Sequence, residues 1–285
     1  MKRIILLLVT ALSCLTLPAK TALVVVAHGS PSPEWNSCVL DLESRLKSLD
    51  MPGIDYKRVA LMEFAQPNIA SVMRDCEREG IDTVFVLPLF VSPSGHSEDD
   101  IPNILGLKYS PSVHADLVQE GAEFVKTQMH IVVGPTLMDS GVIEKAMVER
   151  VKALSTDPKG EAVLFLAHGD AGRIGFWKHI LRKCETAAKE AGFDYVDYQL
   201  IGMGQNFAQD VKPLLERAAS TKERILVQGI YLVSSVGSMA RMVGMDKNAA
   251  MEGIVYGEEG ILPQSVDSVM AWIEQTVAEW VSGRA

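Results

Sequence analysis

Three side chains suited to metal binding and proton transfer each come shortly after an apolar run. His28 follows LVVVA, Glu63 follows VALM, and His96 comes shortly after VFVLPLF. Two imidazoles and one carboxylate form a ligand set for divalent first-row metals such as cobalt, iron, nickel or zinc. Imidazole also titrates near neutral pH, so the same groups can accept protons. The residues therefore predict a site that both holds a metal ion and accepts protons.

The elements that must position these side chains follow an alternating pattern. Short apolar runs are separated by stretches such as WNSCVLDLESRLKSL, whose apolar residues recur at helical spacing. Continuous apolar strands separated by helices are typical of a parallel sheet covered on both faces. Ligands bind outside the carboxyl ends of such strands, where the three side chains emerge. The predicted strands are 22–27, 55–61, 83–90 and 130–134, then 162–167, 196–201, 224–232 and 253–256, with a closing helix at 264–281.

The chain is an internal duplication, because VVVAHGS at 24–30 returns as VLFLAHG at 163–169. The other matches pair Tyr56 with Tyr198, Glu63 with Gln205, Phe90 with Tyr231, and His96 with Ser238. Among the candidate ligands, only His28 keeps its residue type, as His168. The first copy also contains an extra segment, 106–124. We therefore expect an α/β protein of two doubly wound parallel-sheet halves that face each other across a cleft, with the site on the first half.

The N-terminus has the pattern of a secretory signal. Lys2 and Arg3 precede an apolar stretch, 4–17, which is followed by small residues suited to cleavage. The stretch is shorter than the roughly 20 residues that span a bilayer. These features predict an exported, periplasmic protein with a signal peptide at 1–19, a first half at 20–157 and a second half at 158–285. A lipoprotein anchored at Cys14 is the alternative.

Composition and motif content exclude several other classes of function. The net charge of −9 argues against a nucleic-acid partner, which requires clustered Lys and Arg. The four cysteines form no CxxC pair, so neither a zinc knuckle nor a disulfide framework is predicted. No phosphate loop, dinucleotide glycine motif or G-x-S-x-G motif is present, and we expect no nucleotide cofactor.

The motifs VVAHGS, MEFAQP and LPLFVSPSGHSEDDIP resemble the class II tetrapyrrole chelatases of the CbiX and CbiK type. The resemblance extends from about Ala22 to the end of the chain, with the second half as the diverged repeat of the long two-repeat form. It implies ATP-independent insertion of a divalent metal into a sirohydrochlorin-like ring. The metal is then a substrate, with Co²⁺ as the first candidate and Fe²⁺ or Ni²⁺ as alternatives. By position, His28, Glu63 and His96 would bind the metal and accept the pyrrole protons.

An acidic protein needs local donors to bind a polycarboxylate ring such as sirohydrochlorin. Backbone N–H groups at strand ends and nearby hydroxyls could supply them. The candidate ring-binding residues are Ser30, Ser92, Ser94, Gly95 and Ser97. Oligomeric state is left open by the sequence.

Other readings of the same residues stay open at this level. The first is an exported metal or haem carrier that uses the scaffold without turnover. The second is an unrelated α/β hydrolase or mutase that uses the two histidines as acid and base. For His168, a structural hydrogen-bonding role is favoured over metal binding, because no ionisable partners accompany it in the repeat.

Overall fold

The computed structural model describes residues 19–202, 206–247 and 252–284. The predicted signal peptide, 1–19, therefore lies almost entirely outside the described residues, and so does Gln205. Among the helices within the three described ranges, none is long and apolar enough to cross a membrane.

The first half contains one parallel sheet whose strands run in the order β2-β1-β3-β4. The two central strands are buried at every position, which explains their unbroken apolar sequences. The extra segment forms α5 and the turns around it. The strands are β1 (Thr21–Ala27), β2 (Tyr56–Leu61), β3 (Thr83–Pro88) and β4 (His130–Val133). The helices are α1 (Pro33–Leu40), α2 (Leu42–Ser48), α3 (Ile69–Arg78), α4 (Ile101–Ile104), α5 (Pro111–Gln119) and α6 (Val142–Leu154).

The second half repeats this topology, with strand order β6-β5-β7-β8 and parallel pairing throughout. The predicted fold class, two duplicated parallel-sheet α/β halves, is therefore confirmed. The strands are β5 (Glu161–Ala167), β6 (Tyr195–Leu200), β7 (Arg224–Gly229) and β8 (Ile254–Tyr256). The helices are α7 (Ile174–Glu190), α8 (Asn206–Ala219), α9 (Val236–Met242) and α10 (Ile261–Ser282).

Strand register corrects the sequence match between β2 and β6. Tyr56 lies opposite Ala22 of β1, and the equivalent place opposite Ala162 of β5 is taken by Tyr195. The pairing of Tyr56 with Tyr198 is therefore wrong by three residues. The error arises because YVDY contains two tyrosines, and the sequence match selects the second.

The same correction changes the counterparts of the site residues. Counting from the paired strand ends, Glu63 corresponds to Gly202 and not to Gln205. After β3 and β7 alike, a serine hydroxyl accepts the backbone N–H of the serine three residues later. This shared turn aligns His96 with Gly237, not with the serine that follows it. The second half thus has Gly202 at the position of Glu63 and Gly237 at the position of His96.

The two halves exchange helices and share a hydrophobic core. Helix α6 of the first half packs against α7 and β7, while α10 returns to the first half. There the ring of Trp280 stacks on Phe85, with 4.4 Å between the ring centroids. One cluster of buried side chains includes members of both β1 and β5. A boundary at 157 lies in the α6–β5 connection and, as a division between domains, stays a prediction.

Candidate active site

The turns after β1 and β2 are in direct backbone contact. Glu63 donates its backbone N–H to the carbonyl oxygen of His28 over 3.0 Å. Gly29 makes this approach possible, because its φ is +99° and a Cβ at this position would lie 2.1 Å from the carbonyl oxygen of Glu63. The residue after His28 must therefore be glycine for the two side chains to lie together.

His96 begins a π-helical turn, His96–Asp100, that continues into α4. The turn is closed by a hydrogen bond from the backbone N–H of Ile101 to the carbonyl oxygen of His96. Such turns are rare and are frequently found at functional sites. Here the turn brings Oδ2 of Asp100 to 2.6 Å from Nδ1 of His96.

The structure brings His28, Glu63 and His96 together. Nε2 of His28 lies 3.0 Å from Oε1 of Glu63 and 3.2 Å from Nε2 of His96. One ligand atom from each side chain lies within 4.8 Å of the other two. Ligands about 2.1 Å from one metal ion are separated by roughly 3.0–3.4 Å, so this spacing suits a shared ion. Their roles as metal ligands and proton acceptors stay a prediction.

Hydrogen bonds fix which nitrogen of each imidazole is available. Nδ1 of His28 lies 2.7 Å from the carbonyl oxygen of Gly29, and Nδ1 of His96 faces the Asp100 carboxylate. Because both partners are acceptors, each Nδ1 carries the hydrogen and each Nε2 presents its lone pair. Two lone pairs and the carboxylate of Glu63 then face one another. The two lone pairs and the carboxylate repel one another unless a cation or a proton lies between them.

The pKa of His28 reflects this arrangement. Burial lowers it, but protonated His28 can donate from Nε2 to Glu63 and from Nδ1 to Gly29. These bonds, with the negative charges of Glu63 and Asp100, outweigh burial and raise the pKa above the usual value. A proton on His28 therefore competes with a metal ion for the same nitrogen.

His28 and His96 line a cleft of about 560 Å³ between the halves, and Glu63 lines the neighbouring cavity. Both halves contribute apolar walls, which suit a flat and largely apolar ring. The apolar lining consists of Trp35, Phe64, Leu89, Phe90, Val91, Trp177, Ile230, Tyr231, Leu232 and Val233. Phe64, at the end of the β2 turn, is 64% exposed and also lines a neighbouring cavity.

Four of the five candidate ring-binding residues line the cleft: Ser30, Ser92, Ser94 and Gly95. Ser97 does not; it is buried, and its hydroxyl accepts the backbone N–H of Ser94. The backbone N–H groups of Ser30, Ser94 and Gly95 each donate to a side-chain oxygen of the protein itself. The Ser92 hydroxyl donates to the carbonyl oxygen of Pro93, so the hydroxyls of Ser30 and Ser94, and not these amides, are the donors that this set offers to a carboxylated ring.

His168 faces the same cleft from the second half. Its Nδ1 lies 2.7 Å from the carbonyl oxygen of Gly169, as in His28, and its ring packs near Trp177 and Tyr231. Burial lowers its pKa, and the positive charges of the two histidines of the first half lower it further. With glycine at the places of Glu63 and His96, it lacks the second and third ligands. The favoured structural role of His168 stays a prediction.

Asp100 was not assigned a role from the sequence, although it is the carboxylate that orients His96. Its four-residue spacing from His96 within GHSEDD is a signal that could have identified it. Asp170 and Arg173 of the second half also contact the His96 turn. No local pattern in the sequence indicates them, because the contact is made between the halves.

Comparison with known proteins finds a family model that matches the segment carrying this geometry. The family model CbiX matches residues 22–154, a segment that includes all three converging side chains. The matched segment is slightly less than half of the chain. The expected kinship with class II chelatases is thus confirmed for the half that carries the site.

Two relatives of the CbiX half are archaeal. The sirohydrochlorin cobaltochelatase of Methanococcus maripaludis is 36% identical over 86 residues, which are 30% of this chain and 58% of that protein. The protein of the same name from Methanocaldococcus jannaschii is 33% identical over 86 residues, 30% of this chain and 59% of that protein. The chain therefore spans less than two thirds of the length of these curated relatives.

Solved structures resemble most of the chain, including the half that follows the segment matched by CbiX. The sirohydrochlorin chelatase SirB from Bacillus subtilis subspecies spizizenii, in complex with cobalt, has a TM-score of 0.63 at 17% identity, covering 93% of this chain and 97% of that one. DR2241 from Deinococcus radiodurans, a multi-domain protein with structural similarity to chelatases, has a TM-score of 0.59 at 15% identity, covering 91% of this chain and 55% of that one. At 15–17% identity, this similarity shows that the proteins share a fold.

Proposed function

We propose that this protein is a metal chelatase that inserts a divalent ion into sirohydrochlorin or a closely related tetrapyrrole without ATP. One observation carries the proposal: two imidazole lone pairs and a carboxylate converge on one point, and both imidazoles line an apolar cleft. The match of this half to the CbiX family model and the names of its relatives support the same reaction.

The three side chains act first as a metal acceptor. Nε2 of His28, Nε2 of His96 and the carboxylate of Glu63 replace part of the water shell of the incoming ion. The carboxylate offsets one unit of the ion's charge. Three protein ligands leave further coordination positions open toward the cleft, where a ring nitrogen can enter.

The same side chains then act as proton acceptors. Insertion forms bonds from the ion to the ring nitrogens and releases two pyrrole N–H protons for each divalent ion. As the ion leaves the protein ligands, the lone pairs of His28 and His96 become free beside the ring. Glu63 raises the proton affinity of His28, so the groups that release the metal can take the protons.

A turnover assay with matched variants tests the proposal. Purified protein is mixed with excess Co²⁺ and sirohydrochlorin, and the absorbance of the ring is followed. We expect many turnovers per protein molecule, and at least a hundredfold loss, on the order of removing a catalytic acid–base group, in His28→Ala and His96→Ala. His179→Ala is the control, because His179 lies on α7 beside the exposed Asp139 and outside the lining of the cleft.

Stoichiometric capture of metal or ring without turnover would contradict the proposal and indicate a carrier. Activity that requires neither metal nor tetrapyrrole would contradict it in favour of a hydrolase or mutase.

Cobalt is the metal that we propose, with iron and nickel as alternatives. The support comes from the relatives, which are named cobaltochelatases, and from SirB, whose structures contain cobalt or Fe³⁺. Rates measured separately with Co²⁺, Fe²⁺ and Ni²⁺ at equal free concentration rank the three. A clear preference for iron or nickel would overturn the choice of cobalt and leave the reaction intact.

A further inference from the structure

A short turn of the second half, residues 170–173, contacts the segment of the first half that carries His96. We call residues 170–173 the bridging turn. Oδ2 of Asp170 accepts the backbone N–H of Gly95 over 2.9 Å, while Oδ1 accepts the N–H of Gly172 within the bridging turn. One carboxylate thus joins the two halves immediately before His96.

A second contact lies on the other side of His96. Nη2 of Arg173 donates to Oδ2 of Asp99 over 2.9 Å, and both side chains are only a quarter exposed. Asp99 also pairs with Lys108 of its own half. The two cations hold the pKa of Asp99 below its usual value, with Lys108 as the larger cause, so Asp99 is ionised at neutral pH.

These two contacts bracket a turn that the first half also holds, through the backbone bond from Ile101 to His96 and through Lys108. A π-helical turn is a rare backbone conformation, and Gly95, at its start, restricts the backbone less than any other residue. Bonds from a charged side chain to a backbone N–H, and between partly buried charges, are stronger than neutral hydrogen bonds. The bridging turn therefore adds one charge-assisted contact to the backbone or side chains on each side of His96.

The corresponding turn of the first half makes no such bridge. After β1, the backbone N–H of Ser30 donates to Asn36 of its own half, and the side chain of Asn36 donates back to Ser30. The contact between the halves is therefore a feature of the second copy alone among the described residues of these two turns. Gly202 and Gly237 cannot supply metal ligands, so this contact is a separate way in which the diverged half can affect the site.

We propose that Asp170 and Arg173 are positioning residues, which hold the His96 turn so that Nε2 of His96 faces His28 and Glu63. The inference rests on the proposed function only in treating the bound ion as the substrate. The second half then takes part in metal binding without supplying a ligand.

The test is a Co²⁺ titration of the full chain, followed by the visible absorption of the ion, whose intensity reports its coordination. Asp170→Ala removes both hydrogen bonds of the carboxylate, and Arg173→Met removes the pair with Asp99. We expect each to weaken Co²⁺ binding about fivefold to tenfold, since charge-assisted contacts of this kind are lost, and to change the spectrum. Arg173→Lys should recover part of the affinity.

Two features keep this test specific to positioning. Asp99 retains Lys108 in Arg173→Met, so the substitution leaves no unpaired carboxylate to disturb folding. The control is Arg217→Met, which breaks the ion pair of Arg217 with Asp197 elsewhere in the second half. Its Co²⁺ affinity and spectrum should equal those of the parent, and thermal unfolding should be alike in Arg173→Met and Arg217→Met.

The outcomes separate this inference from the proposed function. Parent-like Co²⁺ affinity and spectrum in both Asp170→Ala and Arg173→Met would overturn the positioning role, even if the parent turns over sirohydrochlorin. Weakened Co²⁺ binding in both, with a parent that never turns over the ring, would support the positioning role and overturn the chelatase.

Discussion

At the scale of single residues, the site depends on the hydrogen-bond partner of Nδ1 in each imidazole. Gly29 offers a carbonyl oxygen to His28, and Asp100 offers a carboxylate to His96. These partners orient the rings and direct both Nε2 lone pairs toward Glu63. The two histidines are therefore held differently, His28 by a neutral carbonyl and His96 by a charged carboxylate.

The first residue-scale prediction concerns Asp100. Replacing it with alanine removes the acceptor that fixes the tautomer of His96, so Co²⁺ affinity should fall about 10-fold to 100-fold. Asp100→Asn keeps an acceptor oxygen without the charge and should lose less. Isothermal titration with Co²⁺ measures both, and Asp267→Asn, which alters a nearly fully exposed carboxylate, serves as the control. An unchanged affinity in Asp100→Ala would show that His96 does not need its partner.

The second concerns the pKa of His28. Glu63 and Gly29 raise it, so Glu63→Gln should lower it, and an NMR titration of the imidazole in metal-free protein measures the shift. A raised pKa in the folded state adds stability that is complete below the unfolded value and is lost as pH rises through the folded one. The stability lost in Glu63→Gln should therefore be larger at pH 5.5 than at pH 8. An equal loss at both pH values would contradict this coupling.

At the scale of elements, the site is assembled from three turns that follow β1, β2 and β3. Parallel pairing brings the carboxyl ends of these strands to one edge, and β1 lies between the other two. The turn after β3 is the most unusual, because its π-helical form places His96 and Asp100 in contact. The strands thus determine where the three side chains meet, and the turns determine how they point.

Gly29→Ala tests this assembly. A Cβ at residue 29 would meet the carbonyl oxygen of Glu63 at 2.1 Å, so the turns after β1 and β2 would have to separate. The control is Gly80→Ala, which has a similar positive φ and no atom within 4 Å of the added Cβ. We expect about 1–2 kcal/mol of destabilisation in the control, from backbone strain alone.

Gly29→Ala should cost more than the control and should also lose Co²⁺ binding, which the control should keep. Chemical unfolding and Co²⁺ titration of both variants give the comparison. Equal destabilisation with retained binding would show that the contact between the two turns does not position the site.

At the scale of the whole molecule, duplication produced two halves with one topology and unequal contributions. Exchange of α6 and α10 joins them through a shared core, and the cleft between them is lined from both sides. The first half supplies the three candidate ligands. The second supplies apolar wall, His168 and the bridging turn.

Local signals account for what the sequence could predict. Apolar runs located every strand to within about three residues at each end, and their common edge implied that His28, Glu63 and His96 meet. The sequence also contained a signal for the register of β6, because GIDY at 53–56 and GFDY at 192–195 share Gly, Asp and Tyr at the same spacing. The contacts of Asp170 and Arg173 depend on how the halves pack, which no short pattern encodes.

The most direct test of the central claim is a crystal structure of the protein with Co²⁺ bound. The account predicts one ion in the cleft wall, held by Nε2 of His28 and Nε2 of His96 at about 2.1 Å and by a carboxylate oxygen of Glu63. An ion held at other residues, or the three side chains directed away from one another in the presence of Co²⁺, would contradict it.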